Sequence, residues 1–168
     1  MDHVHQIVRT FHDEHLATLT TLERFGTLLH TLRAGFPEDP AAAGDITRVM
    51  GDIEALIASD LVTHFDFEEN SLFPVLEAAG YGEIGELLAE EHDSIRVTAG
   101  QLAALCHAVR VGTAGETDWH NIRQLGFEFV SQMTSHIQKE EMGLLTELDA
   151  AVDEDRDTDL VMAYSDAR

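Results

Sequence analysis

The chain has 168 residues, 44% of them hydrophobic, which suits a single domain with one core. Thirty-two acidic residues against ten Lys and Arg give a formal net charge of -22, and a field of this sign repels nucleic acids and anionic membranes. Cys106 is the only cysteine, so intrachain disulfides and thiolate clusters are excluded, and any metal would need nitrogen and oxygen ligands. The first residues lack the pattern of a signal peptide, and we expect a cytoplasmic location.

Apolar residues recur at steps of three or four along most of the chain, which is the spacing of one face of an α-helix. The periodic stretches predict four helices, and their apolar stripes extend over the following ranges: 8–32, 46–72, 83–110 and 122–148. Gly and Pro residues at 35–37, 80–82 and 112–115 end the first three helices. Asp39 and Thr117 are expected to cap the second and fourth.

Short connections leave consecutive helices side by side and antiparallel. The sequence therefore predicts an all-α protein, an antiparallel up-down-up-down four-helix bundle that spans residues 1–152. Residues 153–168 are predicted to be an acidic tail or a short docking helix. The apolar residues of that short helix would be Leu160, Val161, Met162 and Tyr164.

The chain contains an internal repeat. The segment 64–79 recurs as 136–151, since both begin with His-x-x-x-Glu-Glu and continue with the same apolar pattern. A helix with a Glu-His pair precedes each segment, Glu14-His15 in the first half and Glu91-His92 in the second. Each repeat is thus a helix with one histidine followed by a helix with His-x-x-x-Glu, which predicts internal two-fold pseudosymmetry in the bundle.

Six polar residues fall within the apolar stripes. Four residues advance a helix by slightly more than one turn, so the His and Glu of each His-x-x-x-Glu project from one face and can chelate a cation. Buried His and Glu are costly without partners, and a shared cation would remove that cost. The alternative is a buried polar network without metal. The six candidate ligands are His15, His64, Glu68, His92, His136 and Glu140.

The order His, His-x-x-x-Glu, His, His-x-x-x-Glu resembles the hemerythrin-like, or HHE cation-binding, domains, and the likeness covers roughly residues 2 to 150. The resemblance implies two non-haem irons joined by an oxo or hydroxo bridge, with Mn or Zn as substitutes. It also implies bridging by Glu68 and Glu140. The histidines would then divide between the two irons as His15 with His64, and His92 with His136.

One departure from the oxygen-carrying hemerythrins affects the expected function. Those proteins have a second histidine four residues along the third helix, where this chain has Arg at 96 and Leu at 88. Glu91 or His12 could fill the gap or support a ligand from outside. Glu69 and Glu141 lie one residue off the inner face, where they either hydrogen-bond a neighbouring ligand or face solvent.

These features favour a di-iron protein of hemerythrin type that interacts with dioxygen, peroxide or nitric oxide in redox handling or sensing. Reversible oxygen binding or storage stays open, as does enzymatic activity on peroxide or nitric oxide. A ferritin-like di-iron oxidase would use Glu-x-x-His motifs, which the chain lacks. A zinc hydrolase would use His-Glu-x-x-His, which is also absent. Any protein partner is left undefined by the sequence.

Overall fold

A computed structural model of the protein describes residues 4–32 and 40–168. Within these ranges the chain forms helices and no β-strand, so the prediction of an all-α protein is confirmed. The antiparallel order of four helices stays a prediction. The α-helices are α1 (Gln6–Thr31), α2 (Pro40–Ala55), α3 (Leu61–Phe67), α4 (Phe73–Ala79), α5 (Gly82–Arg110), α6 (Glu116–Lys139), α7 (Leu145–Ala151) and α8 (Glu154–Ala167).

Three π-helical segments join some of these helices without a break. Leu56–Asp60 connects α2 to α3, Glu68–Leu72 connects α3 to α4, and Glu140–Leu144 connects α6 to α7. The last two segments close in the same way: the Glu68 carbonyl accepts the amide of Phe73, and the Glu140 carbonyl accepts that of Leu145. A π turn widens the helix by one residue and occurs often at functional sites. Here both begin at the glutamate of a His-x-x-x-Glu motif.

The described helix boundaries agree with the predicted breaks to within a few residues. Gly80 ends α4 with a positive φ of 93°, a conformation that glycine adopts without steric cost, and α5 then begins at Gly82. The expected cap at Thr117 is wrong, because α6 begins at Glu116 and the Asp118 side chain accepts the Gly115 amide instead. Residues 35–37 and Asp39 lie outside the described residues.

The chain divides into two compact units. The first comprises residues 1–17, 61–93 and 135–168, and all six candidate ligands belong to it. Within this unit α4 packs against α7, and α3 packs against α8. Its core is made by the following buried residues: Ile7, Val8, Phe11, Phe67, Leu72, Phe73, Leu76, Leu88, Leu144, Leu145, Leu148, Val152, Leu160 and Tyr164.

The short helix expected near Leu160 is present as α8. Leu160 and Tyr164 contribute to the core of the first unit, whereas Met162 is exposed. Asp153 caps α8 by accepting the amide of Arg156.

The second unit comprises residues 18–60 and 94–134. Its own core includes Phe25, Met50, Ile53, Leu102 and Phe129, each fully shielded from solvent. Gly126 packs closely there, because a Cβ at this position would lie 2.7 Å from a methyl group of Leu29, which would have to shift. In the described parts of the chain, no helix has both the length and the apolar character needed to cross a membrane.

Candidate metal centre

The six predicted ligands come from four helical stretches and meet in the first unit. His15 lies on α1, His64 on α3 and His92 on α5, while His136 lies near the end of α6. Glu68 and Glu140 are the first residues of their π segments. All six are buried among the apolar side chains of the core. Two groups of four can each hold a metal ion, and Glu68 and Glu140 belong to both groups.

The first group contains His15 and His64. Their Nε2 atoms lie 3.3 Å apart. His15 Nε2 is 3.0 Å from Glu140 Oε2, and His64 Nε2 is 3.3 Å from Glu68 Oε1. Both imidazoles therefore direct the same ring nitrogen, Nε2, towards the two carboxylates.

The second group contains His92 and His136, whose Nε2 atoms lie 3.1 Å apart. His92 Nε2 is 3.2 Å from Glu68 Oε2, and His136 Nε2 is 2.8 Å from Glu140 Oε1. Each carboxylate thus has one oxygen towards the first histidine pair and the other oxygen towards the second pair.

The donor atoms fit a metal ion. Two ligand atoms bound about 2.1 Å from one ion, at right angles to each other, are separated by about 3.0 Å. The nearest N···N and N···O separations in both groups, 2.8 to 3.3 Å, lie around this value. The four oxygens of Glu68 and Glu140 are buried, and among the described residues none of them has a hydrogen-bond partner. Buried carboxylate oxygens without hydrogen bonds are costly, and a bound cation would satisfy them.

A second layer of four carboxylates holds the outer nitrogens of the histidines. Each Nδ1 lies within hydrogen-bond distance of one glutamate, and an ionised carboxylate can only accept, so Nδ1 carries the proton. The neutral ring then has its lone pair on Nε2, where a metal would bind. The four pairs are His15 with Glu141 (2.6 Å), His64 with Glu14 (3.0 Å), His92 with Glu69 (2.7 Å) and His136 with Glu91 (3.0 Å).

This layer follows the internal repeat. The glutamate before the single histidine of each repeat, Glu14 or Glu91, supports the next histidine of the same repeat. The glutamate after each His-x-x-x-Glu motif, Glu69 or Glu141, supports the single histidine of the other repeat. The two halves of the site are therefore equivalent in their donors and in their supporting carboxylates.

The carboxylates change the pKa of three histidines in the metal-free protein. Burial lowers the pKa of His15, but Glu140 and Glu141 outweigh it and raise the pKa to about 9. Burial likewise opposes the charge of His64 and of His92, yet the adjacent glutamates raise the pKa of His64 to about 10 and that of His92 to about 9. Without a metal, protons therefore balance the buried negative charge.

The pKa of the shared carboxyl of Glu140 shifts in the opposite direction. Burial raises the pKa, but the adjacent imidazoles of His136, His15 and His92 hold it well below its usual range. Glu140 is thus ionised at neutral pH, which is the state that binds a cation.

Aromatic rings enclose the two histidine pairs to different degrees. Phe65 stacks on His92 with 3.8 Å between ring centroids, and Phe73 contacts the same imidazole at 5.7 Å. The side chain of His92 is 0% exposed, whereas that of His64 is 11% exposed and touches Phe11 at 4.4 Å. Solvent therefore reaches the edge of the first pair only.

Four further residues were predicted near the site as extra ligands or supports. Glu69, Glu91 and Glu141 all take the supporting position, on the outer nitrogen of a histidine. His12 stands one step further out, with its Nδ1 2.9 Å from Glu141 Oε2. The structure therefore brings all four close to the site, and none of these four residues supplies a donor atom to the two groups.

Sequence reasoning missed some of the supporting residues. Glu14 supports His64, and its place beside His15 in the repeated Glu-His pair was a usable signal. Lys139 donates to Glu91, and Tyr164 donates to Glu14. The repeat identifies neither of these last two, because Tyr164 lies outside it and Lys139 stands where the other copy has Phe67.

Comparison with known proteins agrees with this geometry. No curated protein matches the chain. The family model described as the hemerythrin HHE cation-binding domain matches residues 6–148. This match covers most of the chain and all six buried His and Glu residues, and the chain therefore belongs to the hemerythrin HHE cation-binding domain family.

Proposed function

We propose that the protein binds two non-haem iron ions, one at each histidine pair, with Glu68 and Glu140 bridging them. The observation that carries this proposal is the division of each carboxylate. Glu68 has Oε1 near His64 and Oε2 near His92, and Glu140 has Oε2 near His15 and Oε1 near His136. One ion at one histidine pair would leave the carboxylate oxygens beside the other pair without a metal.

Iron is the metal we assign because imidazole and carboxylate donors with open positions suit non-haem iron. Each group supplies four protein donors, which is fewer than an octahedral ion holds. When bound, the iron pair would supply one-electron redox chemistry and positions for small exogenous molecules. Manganese or zinc could occupy the same donors as substitutes.

The residues of the chain prepare the site for that chemistry. Glu14, Glu69, Glu91 and Glu141 orient the imidazoles and keep their protons on Nδ1. Phe65 and Phe73 exclude water from the His92 side. The ionised carboxylate of Glu140 supplies negative charge that would balance part of the positive charge of the two ions.

We infer that the protein handles or senses dioxygen, peroxide or nitric oxide rather than transporting oxygen. The helix α5 places buried Leu88, and not a histidine, one turn before His92, while Arg96 occupies the position one turn after it. Neither side chain is a metal ligand at neutral pH, so the second pair has no additional imidazole. Reversible oxygen binding or storage is the second candidate, supported by the family alone.

Metal analysis tests the di-iron assignment. Protein expressed in iron-replete medium should contain about two irons per chain and show absorption bands of a bridged ferric pair. The control is His107→Ala, which changes a histidine of the second unit that is 60% exposed and pairs with Glu54, and which should retain the same iron content. Trace iron that cannot be reconstituted would contradict the assignment.

Air exposure separates redox handling from oxygen transport. The protein is reduced without oxygen, exposed to air and then deoxygenated repeatedly, while its absorption spectrum is followed. We expect rapid oxidation that deoxygenation does not reverse. A spectrum that returns to the reduced form after each cycle would favour reversible oxygen binding.

A further inference from the structure

We propose that Tyr164 and Arg168 of α8 are positioning residues for His64, which act by holding Glu14 against the outer nitrogen of that histidine. The inference rests on the proposed function, because it concerns the strength of metal binding at the first histidine pair. In this proposal the helix α8, which lies outside both repeats, affects the strength of metal binding at one of the two histidine pairs that the repeats supply.

The carboxylate of Glu14 contacts three side chains, those of Tyr164, His64 and Arg168. The Tyr164 hydroxyl donates to Glu14 Oε2 at 2.7 Å, and His64 Nδ1 lies 3.0 Å from the same oxygen. Arg168 donates through Nη1 to Glu14 Oε1 at 2.5 Å. With both oxygens engaged, the carboxylate cannot rotate away from His64 without breaking a charge-assisted hydrogen bond.

Packing fixes the hydroxyl of Tyr164. The ring is buried and contacts Phe11 at 4.9 Å and Phe67 at 4.7 Å between centroids. Phe11 also touches the imidazole of His64. The Arg168 guanidinium lies 5.6 Å from the Tyr164 ring, within range of a cation–π contact. The phenol is thus an anchored donor rather than a side chain that samples many positions.

α8 is also joined to the beginning of α1. Asp157 accepts the amides of Gln6 and Ile7, each at 2.8 Å. Asp157 and Tyr164 are seven residues apart, as are Ile7 and Glu14, so α8 and α1 run side by side in the same direction. One helix pair therefore carries two sets of contacts about two turns apart, and the second set ends at a histidine of the metal site.

The other half of the site is supported differently. Glu91 is the counterpart of Glu14 in the internal repeat and likewise supports a histidine, His136. Its second oxygen accepts from Lys139, which lies on α6 with His136 itself. Loosening α8 should therefore weaken the His64 half and leave the His136 half intact.

Anaerobic titration with ferrous iron against a competing chelator tests this. Tyr164→Phe keeps the ring and removes only the hydroxyl, and we expect one of the two binding steps to weaken by about tenfold while the other stays unchanged. The matched control is Tyr81→Phe, at the other tyrosine, which is 44% exposed, and it should change neither step. Equal weakening of both steps, or of neither, would overturn the proposal.

A double-mutant cycle shows whether Tyr164 acts through Glu14. In a Glu14→Gln background, Tyr164→Phe should add no further loss of affinity, because the positioned carboxylate is already gone. Additive losses would overturn the proposed route. Arg168→Gln changes an exposed side chain outside the core, so it provides a second variant expected to weaken the same single step.

Failure of the proposed di-iron function can be distinguished from failure of the positioning role of Tyr164. Should the wild-type protein bind no iron, the di-iron assignment fails, and the inference is judged on the imidazole nitrogen NMR spectrum of the protein as purified. Tyr164→Phe should then shift the Nδ1 resonance of His64 and leave that of His136 in place. An unchanged His64 resonance would overturn the positioning role.

Discussion

The two halves of the metal centre have the same chemistry and different surroundings. In both, two imidazoles direct Nε2 at the shared carboxylates and donate from Nδ1 to an outer glutamate. However, His92 is sealed between Phe65 and Phe73, whereas His64 is partly exposed and depends on a helix outside the repeat. The internal repeat thus accounts for the donor atoms, whereas the solvent exposure of the histidines and the side chains that support them differ between the two halves.

The unequal burial of the two histidine pairs changes what we expect from the absence of a second histidine on α5. The ligand count alone predicts two equivalent irons, each open to exogenous molecules. The burial of the side chains adds a difference in solvent access. Solvent approaches the first pair at His64, whose side chain is 11% exposed, whereas the His92 side chain is 0% exposed. The following substitutions and conditions test how far the two halves are equivalent.

The largest effect is expected from Glu140→Gln. This carboxylate has one oxygen towards each histidine pair, so its neutralisation should remove both irons and lower affinity by about 100-fold or more. Iron content per chain after purification is the measurement. Glu86→Gln, at an exposed glutamate on α5, should retain the wild-type content. Full iron in Glu140→Gln would show that this carboxylate does not bridge.

Single histidine variants should divide the centre. His64→Ala and His136→Ala each remove one imidazole from one pair, so each should lose at least the iron of its own half. Their melting temperatures should fall, since a ligand that binds only the folded protein stabilises it by mass action. Calorimetry with metal analysis measures both quantities, and His107→Ala serves as the control. Melting temperatures equal to that of the wild type would contradict the prediction.

The pH dependence of stability should depend on whether metal is present. In metal-free protein, the folded pKa values of His15, His64 and His92 lie at about 9 to 10, above the ordinary 6.5. Groups with raised pKa values stabilise fully below pH 6.5, and this contribution is lost as the pH rises through the folded values. The lowered pKa of Glu140 contributes above about 4.5 and is lost in acid.

Urea unfolding measures this dependence. The metal-free protein should be less stable at pH 9.5 than at pH 6. Iron binding should instead strengthen as the pH rises through the histidine pKa values, because protons compete with the metal for Nε2. A metal-free protein equally stable at both pH values would show that the imidazoles are not held protonated by the carboxylates.

The smallest effect concerns the aromatic enclosure. Phe65→Leu removes the ring stacked on His92 and should lower the free energy of unfolding by about 1–2 kcal/mol. It should also speed removal of iron by a chelator. Phe11→Leu is the matched variant beside His64, where the imidazole edge is already exposed, and its effect on iron removal should be smaller. Equal rates in the two variants would mean that stacking does not protect the second pair.

The metal-site residues were accessible from the sequence because helical spacing is regular. His64 and Glu68 lie four residues apart, so they share a face whatever the helix packs against. The repetition of this motif at His136 and Glu140 marked both as inward-facing. The helices followed from the same periodicity, since the described boundaries lie near the predicted Gly and Pro breaks.

The π segments at Glu68 and Glu140 were not predicted. Widening a helix by one residue leaves no consistent trace in hydrophobic spacing, so the spacing did not reveal that both segments begin at a candidate ligand. Glu69 and Glu141 were left between support and solvent for a related reason. A residue one position off the inner face can turn either way, and the neighbouring helix determines which.

Composition and spacing along the chain thus specified an all-α protein, its internal repeat and the six buried His and Glu residues, because these depend on local helix geometry and on the cost of burying polar groups. The division of each carboxylate between two histidine pairs depended on packing between helices. Packing between helices also determined which glutamates accept from the histidine Nδ1 atoms, the stacking of Phe65 on His92 and the link from Tyr164 through Glu14 to His64. These contacts join residues up to 150 positions apart, over which no periodicity extends.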